Sequence, residues 1–145
     1  MQMKTCRDIM TREPICCLPR DTVDQIALTM KREDIGAIPV VASHDTNRLI
    51  GIVTDRDLAL KVVGEARDSR QTKVEAVLTP DPWTCHEDNS LEDATEIMAR
   101  HQIRRLPVVN DEGQIVGIIA QADIATRTED PVQTADVVEQ ISQPG

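Results

Sequence analysis

Apolar residues recur along this chain with two alternating periods, and the same order of periods occurs twice. Val23, Ile26, Ala27 and Met30 stand at i, i+3, i+4 and i+7, which predicts one buried face of a helix. Thr22-Val23-Asp24-Gln25 offers that helix a capping box, and Gly36 offers it an end. Two apolar runs follow, Ala37 to Val41 and Leu49 to Val53, which read as strands joined by the polar loop His44-Asp45-Thr46-Asn47. A further helix is expected from Asp55 to about Val63. Ahead of these, residues 5–10 read as a helical turn, and Glu13-Pro14 opens an extended run from Ile15 to Leu18. Gly64 to Lys73 is polar, lacks a period and reads as a linker. Ser90 then caps a helix whose Leu91, Ala94 and Met98 repeat the spacing of Val23, Ile26 and Met30, and Asp111-Glu112-Gly113 makes a tight turn between two further strands. Beyond Thr128 comes a polar tail, in which Pro131 suits a helix start and Val137, Val138 and Ile141 would let a short final helix dock.

The duplication is measurable. An offset of 68 sets Thr11 on Thr79, Pro14 on Pro82, Cys17 on Cys85, Met30 on Met98, Ile35 on Ile103 and Pro39-Val40-Val41 on Pro107-Val108-Val109. After the strand turn, which is two residues longer in the first copy, the offset becomes 66 and sets Gly51-Ile52 on Gly117-Ile118 and Asp57 on Asp123. Two copies of roughly 55 residues have too long a period for a helical solenoid. Each is a small α/β unit.

The stretch Gly51 to Asp57 carries the chemistry. Thr54 and Asp57, three apart at the head of a helical pattern, form a capping box that satisfies the orphan amides of a first turn. The same geometry has a second reading. A helix N-terminus presents free N–H groups and partial positive charge to a phosphate, and a carboxylate one turn in can accept ribose hydroxyls.

Asp8-Ile9-Met10-Thr11, Ile38-Pro39-Val40-Val41 and Gly51 to Asp57 resemble one cystathionine-beta-synthase (CBS) domain. Val77-Leu78-Thr79, Leu106-Pro107-Val108-Val109 and Gly117 to Asp123 resemble a second. The pair, over about residues 5–128, is similar to a Bateman module of the stand-alone type. The resemblance implies an α/β fold of two pseudo-twofold-related CBS repeats, each a small sheet packed with helices. It places the first repeat at 5–63, a linker at 64–75, the second repeat at 76–128 and the tail at 129–145. It also implies clefts between the repeats, each served by a Gly-to-Asp motif, and a homodimer formed through helices.

The two motifs are unequal. Thr54 and Asp57 fill the family's small-hydroxyl and ribose-carboxylate positions, whereas the second copy keeps Asp123 but has Ala120 in place of the hydroxyl. The second copy instead carries Arg104 and Arg105 before its strand, where relatives hold a basic residue that meets phosphate. The other reading of these arginines is a solvated helix end covering its own carbonyls. Arg56 sits near the first helix start, and Arg56 and Lys61 read as surface residues. Ile15 and Trp83 occupy equivalent positions where relatives line an adenine pocket, and Trp83 can equally be ordinary packing.

Composition narrows the function. At 145 residues, 40% apolar and 28% charged, the chain can bury a real core. A net charge of −9 argues against a nucleic-acid backbone as partner, and with no Phe or Tyr beside Trp83 there is no stacking platform for single strands. The N-terminus lacks an apolar signal core and no run is long enough to span a membrane, so a cytoplasmic protein without a membrane partner is expected. Cys6, Cys16, Cys17 and Cys85 have no metal-type spacing and read as buried reduced thiols. His44, His86 and His101 share no ligand spacing and read as surface residues. No nucleophile–base pair or metal cluster marks an enzyme. The expected function is a non-enzymatic sensor, with no required cofactor, that binds an adenosine-containing ligand (AMP, ADP or ATP first) and acts on a separate effector protein. The alternative is an interaction scaffold whose clefts are empty, kept open by Ala120 and the cation-free Gly36-Ala37 segment.

Overall fold

The fold is given by a computed structural model that describes residues 4–127. In chain order its elements are α1 (Cys6–Ile9), β1 (Thr11–Arg12), α2 (Val23–Glu33), β2 (Ala37–Val41), β3 (Leu49–Thr54), α3 (Asp55–Leu58) and a π-helical turn (Ala59–Val63). A 3-10 turn (Val74–Ala76) leads to β4 (Thr79–Pro80), β5 (Cys85–His86), α4 (Leu91–His101), β6 (Arg105–Val109), β7 (Ile115–Ala120) and α5 (Gln121–Arg127). The repeat is visible element by element, because α2 and α4 both run 11 residues, β2 and β6 both run 5, and β3 and β7 both run 6. The expected stripe of α4 is buried (Leu91, Ala94, Met98), and so is that of α2 at Val23, Ile26 and Met30, but Ala27, expected on the same face, is exposed.

Helix ends differ from expectation in three places. Gly36 does not close α2; Asp34 does, in the left-handed region at φ 55°, and Gln102 does the same for α4 at φ 52°. The short polar side chain of Asp34 tolerates that conformation, so glycine is not required there. The Thr22–Gln25 capping box does not form either, because the Thr22 hydroxyl turns to the Asp24 carboxylate. Its task is taken by backbone: the Val23 and Asp24 amides donate to the carbonyls of Thr72 (2.9 Å) and Ser69 (3.2 Å) in the stretch read as a linker. Third, the helix from Asp55 is α-helical only to Leu58 and widens into the π-helical turn.

Ser90, by contrast, completes its box, accepting from the Asp93 amide at 3.1 Å while the Asp93 carboxylate accepts from the Ser90 amide. Ser90→Ala is therefore expected to lower unfolding free energy by about 1 kcal/mol, and Thr22→Ala by less. Urea denaturation of the two variants measures the difference.

The described residues form two compact units, one of residues 4–13, 83–112 and 116–127 and the other of 14–82 and 113–115. Each unit takes its lead-in from the other copy. In the first unit β1 pairs antiparallel with β7, Thr11 opposite Ile118 and Arg12 opposite Gly117, within a sheet of order β1-β7-β6-β5. In the other, β4 pairs with β3, Ile52 opposite Thr79 and Gly51 opposite Pro80, within the order β2-β3-β4. Glu13 and Asp81, 68 apart, both leave their lead-ins with positive φ, at 49° and 46°. The first unit buries Ile9, Met98, Leu106, Ile119 and Ile124 in one cluster; the other buries Val23, Ile38, Val40, Val53 and Val74. The final helix expected around Val137, Val138 and Ile141 lies outside the described residues.

Candidate functional site

β3 delivers Thr54 to the N-cap of α3. Its Oγ1 accepts from the Asp57 amide at 3.1 Å, and Asp57 Oδ2 accepts from the Thr54 amide at 3.0 Å and hydroxyl at 3.2 Å. Two further groups reach the other oxygen: Thr79 Oγ1 donates to Oδ1 at 3.2 Å, and Lys61 Nζ lies 3.0 Å from it. Lys61 also donates to the Val77 carbonyl at 3.0 Å. The carboxylate of Asp57, a residue 8% exposed, is thus held by donors from β3, β4 and the π-helical turn. The reading of Lys61 as a plain surface residue is corrected, because its side chain is half-buried against the motif. Arg56 is exposed, as expected for it.

The second motif keeps half of this arrangement. Asp123 Oδ2 accepts from the Ala120 amide at 2.8 Å, and Ala120 supplies no hydroxyl. What it adds is positive charge nearby. The Gln121 amide at the head of α5 donates to the Arg104 carbonyl at 2.9 Å, as the Asp55 amide does to Gly36 in the other unit. Arg104 is exposed and Arg105 half-buried at the start of β6. At the end of α4 the Gln102 side chain donates to the Ala99 carbonyl at 2.8 Å.

Thr54, Arg56 and Asp57 are therefore gathered at one helix start, and Arg104 beside the other. Trp83 is 56% exposed and stacks one face on His101, ring centroids 3.6 Å apart and planes at 9°, so it is not core packing. Nothing in the 18-residue spacing of this pair announces it. Ile15 lines a cavity of about 170 Å³ with Cys16, Cys17, Gln25, Ile26 and Ile38, whose walls do not include Thr54 or Asp57. Thr79 and Lys61 are the partners that sequence reasoning missed. Lys61 had a signal, the i,i+4 spacing from Asp57.

All four cysteines are free, with Cys6, Cys17 and Cys85 buried. Burial pushes the thiols of Cys16 and Cys17 up, to about 11 and about 12. Among the described residues no group of three or more His, Cys, Asp or Glu could hold a metal ion, and no helix is long and apolar enough to cross a membrane.

Comparison with known proteins gives these motifs a family. The CBS domain model matches residues 6–64 and again 74–130. The CBS domain-containing protein YhcV of Bacillus subtilis is 42% identical over 123 residues, covering 85% of this chain and 84% of its own. Hypoxic response protein 1 of Mycobacterium tuberculosis is 33% identical over the same shares, and its crystal structure, with two coordinated zinc ions, superposes with a TM-score of 0.77 at 30% identity over 86% of this chain and 99% of its own. The CBS domain pair of protein MJ0100, solved with 5′-methylthioadenosine and S-adenosyl-L-methionine, gives a TM-score of 0.76 at 26% identity over 86% and 95% of the two chains. CBSX2, solved with AMP, gives 0.70 at 26% identity over 93% and 98%. The chain belongs to the CBS domain family and has the fold of a CBS domain pair.

Proposed function

We propose that this chain is a non-catalytic regulatory module that takes an adenosine-containing ligand, AMP, ADP or ATP, at the helix start built by Thr54 and Asp57. The observation that carries the reading is the buried, fully oriented Asp57 carboxylate beside a capped helix N-terminus, with Lys61 as a cation at the same atoms. A ribose needs such an acceptor, and Lys61 is the cation that would meet a phosphate. The adenosyl ligands of MJ0100 and CBSX2 support the ligand class. Asp123, Arg104 and Arg105 offer a second, weaker site, lacking the hydroxyl. Binding acts by population shift, limited by the ligand's differential affinity for two states, and is passed to a separate effector protein. A homodimer is supported by Leu28, Leu60 and Val63, apolar side chains left exposed on α2 and the π-helical turn.

One observation favours a second reading, a scaffold with empty sites. Both Asp57 oxygens already have partners within the chain, and Ala120 has lost its hydroxyl. Isothermal calorimetry with adenosine and with AMP decides. One dominant site per chain, tighter for AMP than for adenosine, is expected; no heat from any adenosyl ligand favours the scaffold. Light scattering on the same sample reads the dimer, and a monomer at all concentrations removes that part.

A further inference from the structure

Cys6 on α1 and Cys85 on β5 come from different copies, 79 residues apart, yet their sulfurs lie 3.2 Å from each other in the interior of one unit. Their residues are 0% and 3% exposed and both thiols are free. The chain contains its own control for this pair. The offset of 68 sets Cys6 on Val74 and Cys17 on Cys85, so the other unit packs Val74 and Cys17 in the corresponding core. A hydrophobe at the lead-in position is enough to fill that core. The second thiol is therefore not needed for packing.

We propose that Cys6 and Cys85 are a dithiol oxidation site, which a low-molecular-weight disulfide converts into an intrachain disulfide that ties the exchanged lead-in to β5. One sulfur attacks the external disulfide and releases one small thiol; the other then displaces the second small thiol and closes the Cys6–Cys85 bond. Two hydrogens leave the protein and the oxidant ends as two thiols. Closing to a bond of about 2.05 Å needs movement of roughly 1 Å. The roles are unequal: the hydrogen bond with Cys85 lowers the Cys6 thiol, while the same bond and burial push Cys85 up. Cys6, carried on the one-turn α1, is the sulfur that an opening of the lead-in presents to the oxidant, and it attacks first.

Access comes through the lead-in. α1 is one turn long and is held over the thiols by Arg7, paired with Glu87 at 2.9 Å and Asp88 at 2.7 Å, and by the Cys6 and Arg7 amides on the carbonyls of Asn89 and Glu87. A one-turn segment held by partly exposed ion pairs opens locally without global unfolding. Its release exposes Cys6 to the oxidant, and its return delivers the sulfur to Cys85.

The test uses the whole chain with Cys16→Ser, which removes the half-buried thiol that would otherwise compete. Oxidised glutathione is added, and peptides are mapped by mass spectrometry with and without dithiothreitol. The expected result is a Cys6–Cys85 linked peptide, reversed by dithiothreitol, with Cys17 still free and a raised melting temperature. Cys6→Val, which copies the packing of the other unit, should fold and show neither the link nor the shift. Arg7→Ala should form the link faster. Thiols that survive oxidation in the folded protein, or that end as separate glutathione adducts or links between chains, overturn the proposal. The linked peptide decides the matter even where Cys6→Val folds poorly.

Discussion

Asp57→Ala is expected to lower unfolding free energy by about 2–4 kcal/mol and to weaken binding of an adenosine ligand at least tenfold. The stability figure follows from the donors left behind, each unmet buried group costing about 1–3 kcal/mol. Lys61 contributes little of it, because its side chain is 40% exposed and recovers water when the ion pair is lost. The larger share belongs to the Thr54 amide and to the Thr54 and Thr79 hydroxyls, which converge on a side chain that is 10% exposed. Asp57→Asn separates fold from binding. It keeps one acceptor oxygen for the Thr54 amide, so it should retain more than half of the lost stability, yet it presents an NH2 where a ribose hydroxyl would donate. Urea denaturation and calorimetry on the folded variants read the two effects. Unchanged affinity in a folded variant would move the ligand to Asp123; unchanged stability in Asp57→Ala would mean that the carboxylate does not anchor β4 and Lys61 at all.

What could be read from the chain before its fold was known divides along a physical line. The helices α2 and α4 and the strands β2, β3, β6 and β7 are long enough to show a period, and the duplicated offsets supply each prediction twice. The lead-in strands are two residues each, too short for any period, and their pairing with the opposite copy is decided by tertiary contact alone. The same holds for α2's first amides: Thr22 has the right side chain, but Ser69 and Thr72 bring carbonyls that make its cap unnecessary. At the site, Thr54 and Asp57 are legible because a capping box is a local motif. Thr79, 22 residues away, is not, and neither is the stacking of His101 on Trp83.

The glycine that opens each motif shows how that exchange of lead-ins constrains sequence. A Cβ on Gly117 would stand 2.3 Å from Met10 Sδ, 2.7 Å from its Cγ and 3.0 Å from its Cβ. A Cβ on Gly51 would stand 3.0 Å from both Leu78 Cδ1 and the Thr79 carbonyl. Met10 and Leu78 are the same position of the two lead-ins, 68 apart, each laid across the strand of the other copy. Intrinsic preference points the other way, since glycine inside a strand costs about 0.5–1 kcal/mol relative to alanine. Overpacking a filled interior costs about 1–3 kcal/mol and sometimes more, so the contact wins. Gly117→Val should therefore destabilise the protein by about 3 kcal/mol, although valine favours strands. The clash in Gly117→Val reaches Met10 Cβ and not only the flexible thioether, so a rotamer change does not relieve it. Met10→Ala in the same chain removes Cγ and Sδ and should recover part of the loss, making the double variant less unstable than the two single effects added together. Urea denaturation of the four proteins closes this cycle. Strict additivity would mean that Met10 does not rest on Gly117, and that the lead-in is held to β7 by its backbone pairing alone.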